Sequence, residues 1–151
     1  MEHTLEYIKG NTTGRIMSVD FGDTRTGLAL SDISRYLASG IGYVSPGGIL
    51  KTADKVAEMA IENKASAVIV GLPKNMDGSE GFRADRAKEF ADLLRQRLQI
   101  PVAMFDERMT TMAASRFLNE TNTRGAKRKT VVDTLSAQII LQNVLDRLKM
   151  M

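Results

Sequence analysis

Residues 15–44 hold three strand-like runs with no room for a helix between them, and this spacing constrains the fold more than any other feature. The first, residues 15–20 (Arg-Ile-Met-Ser-Val-Asp), is mostly apolar and ends in an acid; the others cover residues 26–30 and 40–44. Phe21-Gly22-Asp23-Thr24-Arg25 breaks the first gap, and Ser45-Pro46-Gly47-Gly48 closes the series. Parallel neighbours need a crossover of about a dozen residues or more, so these three runs must form an antiparallel meander.

After residue 48 the rhythm changes. Ala53, Val56, Ala57, Ala60 and Ile61 form a helical stripe over residues 53–63. Residues 67–70 form a short apolar strand that runs into the breaker-rich loop 71–79. A helix is predicted over residues 80–98, with Ala87, Phe90, Ala91, Leu94 and Leu98 on one face. Residues 101–105 form a fifth strand ending in Asp106-Glu107-Arg108. A further helix is expected from Thr110 or Thr111 to near Glu120, then a polar, basic loop over residues 121–129, then a last helix over residues 130–148. The order β-β-β-α-β-α-β-α-α predicts an α/β fold: a mixed five-stranded sheet flanked by helices, in one domain over residues 14–151, with residues 1–13 as a flexible leader.

Composition narrows the chemistry. The chain has 151 residues and no cysteine, which excludes disulfides, thiolate zinc sites and cysteine nucleophiles. Its single histidine, His3, excludes histidine-rich metal sites. No run approaches 18 apolar residues and the N-terminus lacks an apolar signal core, so a soluble cytoplasmic protein without a membrane partner is expected. Residues 1–100 carry 13 Lys/Arg against 13 Asp/Glu, and residues 101–151 carry 8 against 5. The whole +3 excess therefore lies in the last third, concentrated in Arg124, Lys127, Arg128 and Lys129. A local basic patch of this kind suits an anionic partner.

Acids at three places stand out against this background. Asp20 ends an otherwise apolar strand, where an uncompensated carboxylate is costly. Asp106 and Glu107 end the fifth strand; successive side chains face opposite sides, so only one can share a face with Asp20, and parity alone does not say which. Asp133 completes a capping box with Thr130, yet it lies four residues before Ala137 and so on the stripe that faces the core. Three carboxylates without imidazole or thiolate are a donor set for Mg²⁺ or Mn²⁺, which also bind phosphate oxygens. With basic residues directly before Asp133, the pattern points to metal-dependent phosphodiester hydrolysis. The tripeptide Asp20-Phe21-Gly22 also spells a kinase motif, but no glycine-rich loop or catalytic-loop signature accompanies it.

Four ordered blocks resemble the YqgF family of pre-16S rRNA nucleases, also described as Holliday-junction-resolvase-like. They are Val19-Asp20-Phe21-Gly22 with Arg25, Gly27, Ala29, Ser31 and Asp32; Gly71-Leu72-Pro73 with Asn75, Asp77-Gly78-Ser79 and Glu80; Asp106-Glu107-Arg108 with Thr110-Thr111; and the basic segment followed by Val132-Asp133 and Ala137. The resemblance implies an RNase H-like fold, a catalytic and metal-holding triad of Asp20, Glu107 and Asp133, and processing of the 5′ end of pre-16S rRNA in the cytoplasm. It selects Glu107 over Asp106. Charge and position add Lys74, Asn75, Arg108, Arg124, Lys127, Arg128 and Lys129 as expected substrate contacts. The partner is then nucleic acid, free or in ribosomal precursor particles, and the chain a monomer or weak homodimer. Alternatives are a resolvase acting on DNA junctions, a catalytically silent RNA-binding module, and an actin-like ATPase, for which 151 residues leave no second domain.

Overall fold

The computed structural model describes residues 3–107 and 125–151, with the backbone alone described for residues 125–133. Five strands, β1 (Ile16–Asp20), β2 (Thr26–Ser31), β3 (Ala38–Val44), β4 (Ala67–Leu72) and β5 (Val102–Asp106), form one sheet in the order β3-β2-β1-β4-β5. The first three pair antiparallel, as their spacing requires; β4 joins β1 in parallel and β5 joins β4 in parallel. The helices are α1 (Leu5–Asn11), α2 (Ile49–Glu62), α3 (Phe82–Arg97) and α4 (Gly125–Lys149).

Alternation along the central strand divides the core in two. Met17 and Val19 face one side, where Val56, Ala60, Phe90 and Leu94 of α2 and α3 pack. Ile16 faces the other, with Ala137, Ile140, Leu141 and Val144 of α4. Because β1 is covered on both faces, it reads as a nearly continuous apolar run. Its one internal polar residue, Ser18, is satisfied: its Oγ donates to the Ala137 carbonyl at 2.6 Å and ties α4 to the middle of β1. At Gly40 an added Cβ would run into the Thr134 side chain, so α4 also lies close against β3.

Two expectations are corrected. The presumed leader carries α1, whose Ile8 is fully buried; Thr4 caps the helix, and Lys9 donates to the carbonyls of Leu148 at 2.5 Å and Met151 at 2.6 Å. Leu5 packs against the same core cluster, so two apolar residues one turn apart anchor an otherwise polar segment. The stretch read as a basic loop to Lys129 is helical from Gly125 onward, so Lys127, Arg128 and Lys129 lie on α4. Thr130 and Asp133 accordingly fall inside that helix and form no capping box at its start. Lysine, arginine and alanine are good helix formers, and here propensity outweighs the polar look of the segment. The helix expected between residues 110 and 120 lies outside the described residues.

Candidate active site

The carboxyl ends of β1, β4 and β5 lie side by side, the part of a parallel sheet that most often carries ligands. Val19 pairs with Val70, which sets Asp20 beside Gly71, while Leu72 pairs with Asp106. Ile16, Ile69 and Ala103 face α4, so Asp20, Gly71 and Glu107 do too, and Asp106 is turned to the other face. The choice that strand parity could not make is thus settled by register: Glu107 shares a face with Asp20. The Glu107 N–H, bonded to the Leu72 carbonyl at 3.1 Å, extends the ladder one residue past β5 and fixes its orientation.

Three local features aim the acids. Phe21 stacks on Phe90 with centroids 4.6 Å apart, pinning the residue after Asp20 into the opposite core. Gly22 sits where a Cβ would strike the Arg25 carbonyl, and Thr26 Oγ1 donates to the Gly22 carbonyl at 3.2 Å, closing the turn. Gly71 leaves an open track across β4. A Cβ there would collide with the Glu107 carboxylate and come within 2.8 Å of Ile140 Cδ1. Glu107 occupies that track, its carboxyl group close to that of Asp20.

Two carboxyl groups held close together repel each other when both are ionised. Burial pushes the Glu107 carboxyl upward; the nearby positive charge of Arg83 opposes that rise, and Asp106 adds to it. The pair therefore calls for positive charge, a proton or a cation. Two oxygen donors held together at a strand end, without nitrogen or sulfur ligands, suit a hard divalent ion. Among the described residues no group of three such donors assembles, and the side chain of Asp133 lies outside them. The backbone places Asp133 on α4, one turn before Ala137, the residue bonded to Ser18.

The other expected contacts divide. Lys74 lies 3.8 Å from Glu80 and, with Asn75 and Arg83, lines a cleft of about 180 Å³ between the β4–α3 loop and the start of α3. The Asn75 amide donates to Ser79 Oγ at 2.9 Å, so its side chain closes the loop. Arg108 and Arg124 lie outside the described residues. Arg83 was missed in the sequence, where it reads as one more charge on a solvated helix. Its position in the first turn of the helix that follows the breaker loop was the available signal.

Raised proton affinity at Glu107 has a definite sign in stability. Between the ordinary carboxyl value of 4.5 and the raised native one, the folded protein binds more protons than the unfolded chain, so stability falls as pH climbs through that window. Metal-free Glu107→Gln, lacking the charge, should melt above the parent at pH 7 and level with it at pH 4. Thermal melts at the two pH values check this; a parent that melts higher at pH 7 would contradict it. Arg83→Ala should move the metal-free Glu107 titration further up, followed by carboxyl ¹³C shifts, because a cation favouring the ionised form is gone.

The comparisons with known proteins agree with this geometry. The family model described as "RuvX: Holliday junction resolvase" matches residues 14–147. The chain belongs to this family. It is 40% identical over 133 residues to a protein of Pelotomaculum thermopropionicum named "Putative pre-16S rRNA nuclease", covering 87% of this chain and 86% of that protein. A protein of Listeria innocua with the same name is 41% identical over 134 residues, covering 87% and 97%. Among solved structures, Thermus thermophilus RuvC in complex with a Holliday junction substrate superposes with a TM-score of 0.57 at 13% identity, covering 90% of this chain and 96% of that one. That likeness shows the shared RNase H-like fold. The RuvX match also places the chain in the family the four sequence blocks pointed to.

Proposed function

We propose that this RuvX-family chain is an endonuclease that hydrolyses phosphodiester bonds with a divalent cation, Mg²⁺ or Mn²⁺, and that its substrate is the 5′ region of pre-16S rRNA in the cytoplasm. The observation that carries the reading is the Asp20–Glu107 pair laid across Gly71. The names of its relatives supply the substrate class.

Asp20 and Glu107 would hold the cation, with Asp133 as third donor. When bound, such an ion supplies an activated water and neutralises charge on the leaving oxygen. Hydrolysis forms a phosphorus–oxygen bond from water and breaks the bridging one. The chain's own part is to hold the acids on one rigid sheet edge and the phosphodiester against them. Lys74 and Arg83 line the cleft beside the site, and Arg108, Arg124, Lys127, Arg128 and Lys129 add a sequence-independent grip on the backbone. Ribosomal precursor particles follow as partners from the substrate, and a monomer or weak homodimer suffices for one cut.

The test is cleavage of a 5′-extended 16S precursor fragment, with and without Mg²⁺ or Mn²⁺, by the parent and Asp133→Asn. Metal-dependent cleavage lost in Asp133→Asn is expected. Binding without cleavage would instead favour the silent module. The family description favours a second reading, a resolvase; cleavage of a four-way DNA junction, with the RNA fragment left intact, would select it.

A further inference from the structure

A groove of about 710 Å³ opens along the outer edge of β5, beside the acidic site. β5 is an edge strand of the sheet, and among the described residues the N-terminal segment pairs with it at Ala103, where His3 forms a single bridge before the chain turns into α1. Beyond that point Met104, Phe105 and Asp106 line the groove, with no further strand paired to them among the described residues. The last of them directly precedes Glu107. Opposite stands Arg147 of α4, its guanidinium 5.5 Å from the centre of the Phe105 ring. Met76 of the β4–α3 loop, Leu5 and Glu6 of α1, and Met151 also line it.

The chemistry of this lining is selective. An aromatic ring with a planar guanidinium over it is a platform on which unstacked bases settle, and methionine side chains mould to a flat apolar partner. Carboxylates at Glu6 and Asp106 accept from the exocyclic amino groups of bases and repel phosphates. A fully paired duplex keeps its bases stacked inside and presents phosphates outward; a single strand can offer a base. We propose that the groove takes an unpaired nucleobase of the nucleic acid held at the acidic site. The proposal rests on the nuclease reading and narrows its substrate to a strand with unpaired bases near the cut.

The experiment is binding of the full chain to fluorescent RNA of one sequence, single-stranded or fully paired, with cleavage assayed in parallel. The parent should prefer the single strand. Arg147→Ala and Phe105→Leu should each weaken single-strand binding about tenfold and leave duplex binding unchanged, the scale of one lost stacking contact. Arg147→Lys, which keeps the charge and loses the plane, should behave like Arg147→Ala. Equal losses for single strand and duplex, no loss, or full rescue by lysine would overturn the proposal. So would groove variants that change sedimentation and not RNA binding, which would assign the groove to a second copy of the chain. Cleavage that survives Asp20→Asn would overturn the nuclease reading alone, because the preference for unpaired bases is read without cleavage.

Discussion

Asp20→Asn should lower precursor cleavage by about 10²–10³-fold or more, the scale at which removing one preorganised charge-stabilising group at a reacting centre is felt. The amide keeps the shape of the carboxyl and loses its charge. At the end of β1, between the ladders to β2 and β4, there is no freedom for another acid to take its place. Asp106 is the nearest alternative in sequence to Glu107, and it is turned to the other face. Stability should not follow activity: the variant removes a negative charge beside the buried Glu107 carboxyl, so the metal-free protein should melt no lower than the parent. If Asp20 and Glu107 act as one unit, the double variant Asp20→Asn/Glu107→Gln should be no worse than the worse single one. Single-turnover rates of all three variants measure this. Fully additive losses would mean that the acids serve separate steps.

Much of this was legible in the sequence because it rested on spacing. Three runs too close for crossovers had to be antiparallel, and the alternating helices and strands after residue 48 had to add parallel neighbours; β1 to β5 pair accordingly. The acid at the end of an apolar strand was visible for the same reason, since Asp20 needed a cause that Met17 or Val19 did not. What could not be read were relations fixed by register and depth. Glu107 against Asp106 depends on where β5 stops pairing with β4. The docking of α1 depends on Leu5 and Ile8 packing against the α4 side of the core, and two apolar residues in a seven-residue helix are too short a pattern to announce it. The extension of α4 back to Gly125 set a favourable local propensity against a polar composition, and composition was the weaker guide. Arg83 acts through proximity to a residue 24 positions away, which no local pattern encodes.

Gly71→Ala is the most informative change in the fold, since it adds one methyl group and should nearly silence the enzyme. The backbone at residue 71 does not need glycine: its φ lies outside the left-handed region occupied by Gly14, Gly42, Gly47, Gly48 and Gly78. An alanine in that strand would pair with β1 and β5 as well as glycine does. What the methyl meets is the Glu107 carboxylate and the tip of Ile140. Overpacking of this kind costs about 1–3 kcal/mol, or roughly 2–12 °C in melting temperature for a domain of this size, which leaves the protein folded at 25 °C. Glu107 has the more mobile end and must yield, leaving its track and its place beside Asp20. Cleavage should fall by about 10²-fold, a penalty of the kind seen when reacting groups are displaced by about 1 Å. Shortening the acid separates geometry from folding. In Gly71→Ala/Glu107→Asp the carboxylate is drawn back from the methyl, so the melting temperature should recover toward the parent while cleavage stays low, because the shorter acid no longer spans β4 to Asp20. A Gly71→Ala protein that cleaves at the parental rate would show that Glu107 does not work from the position it occupies across β4.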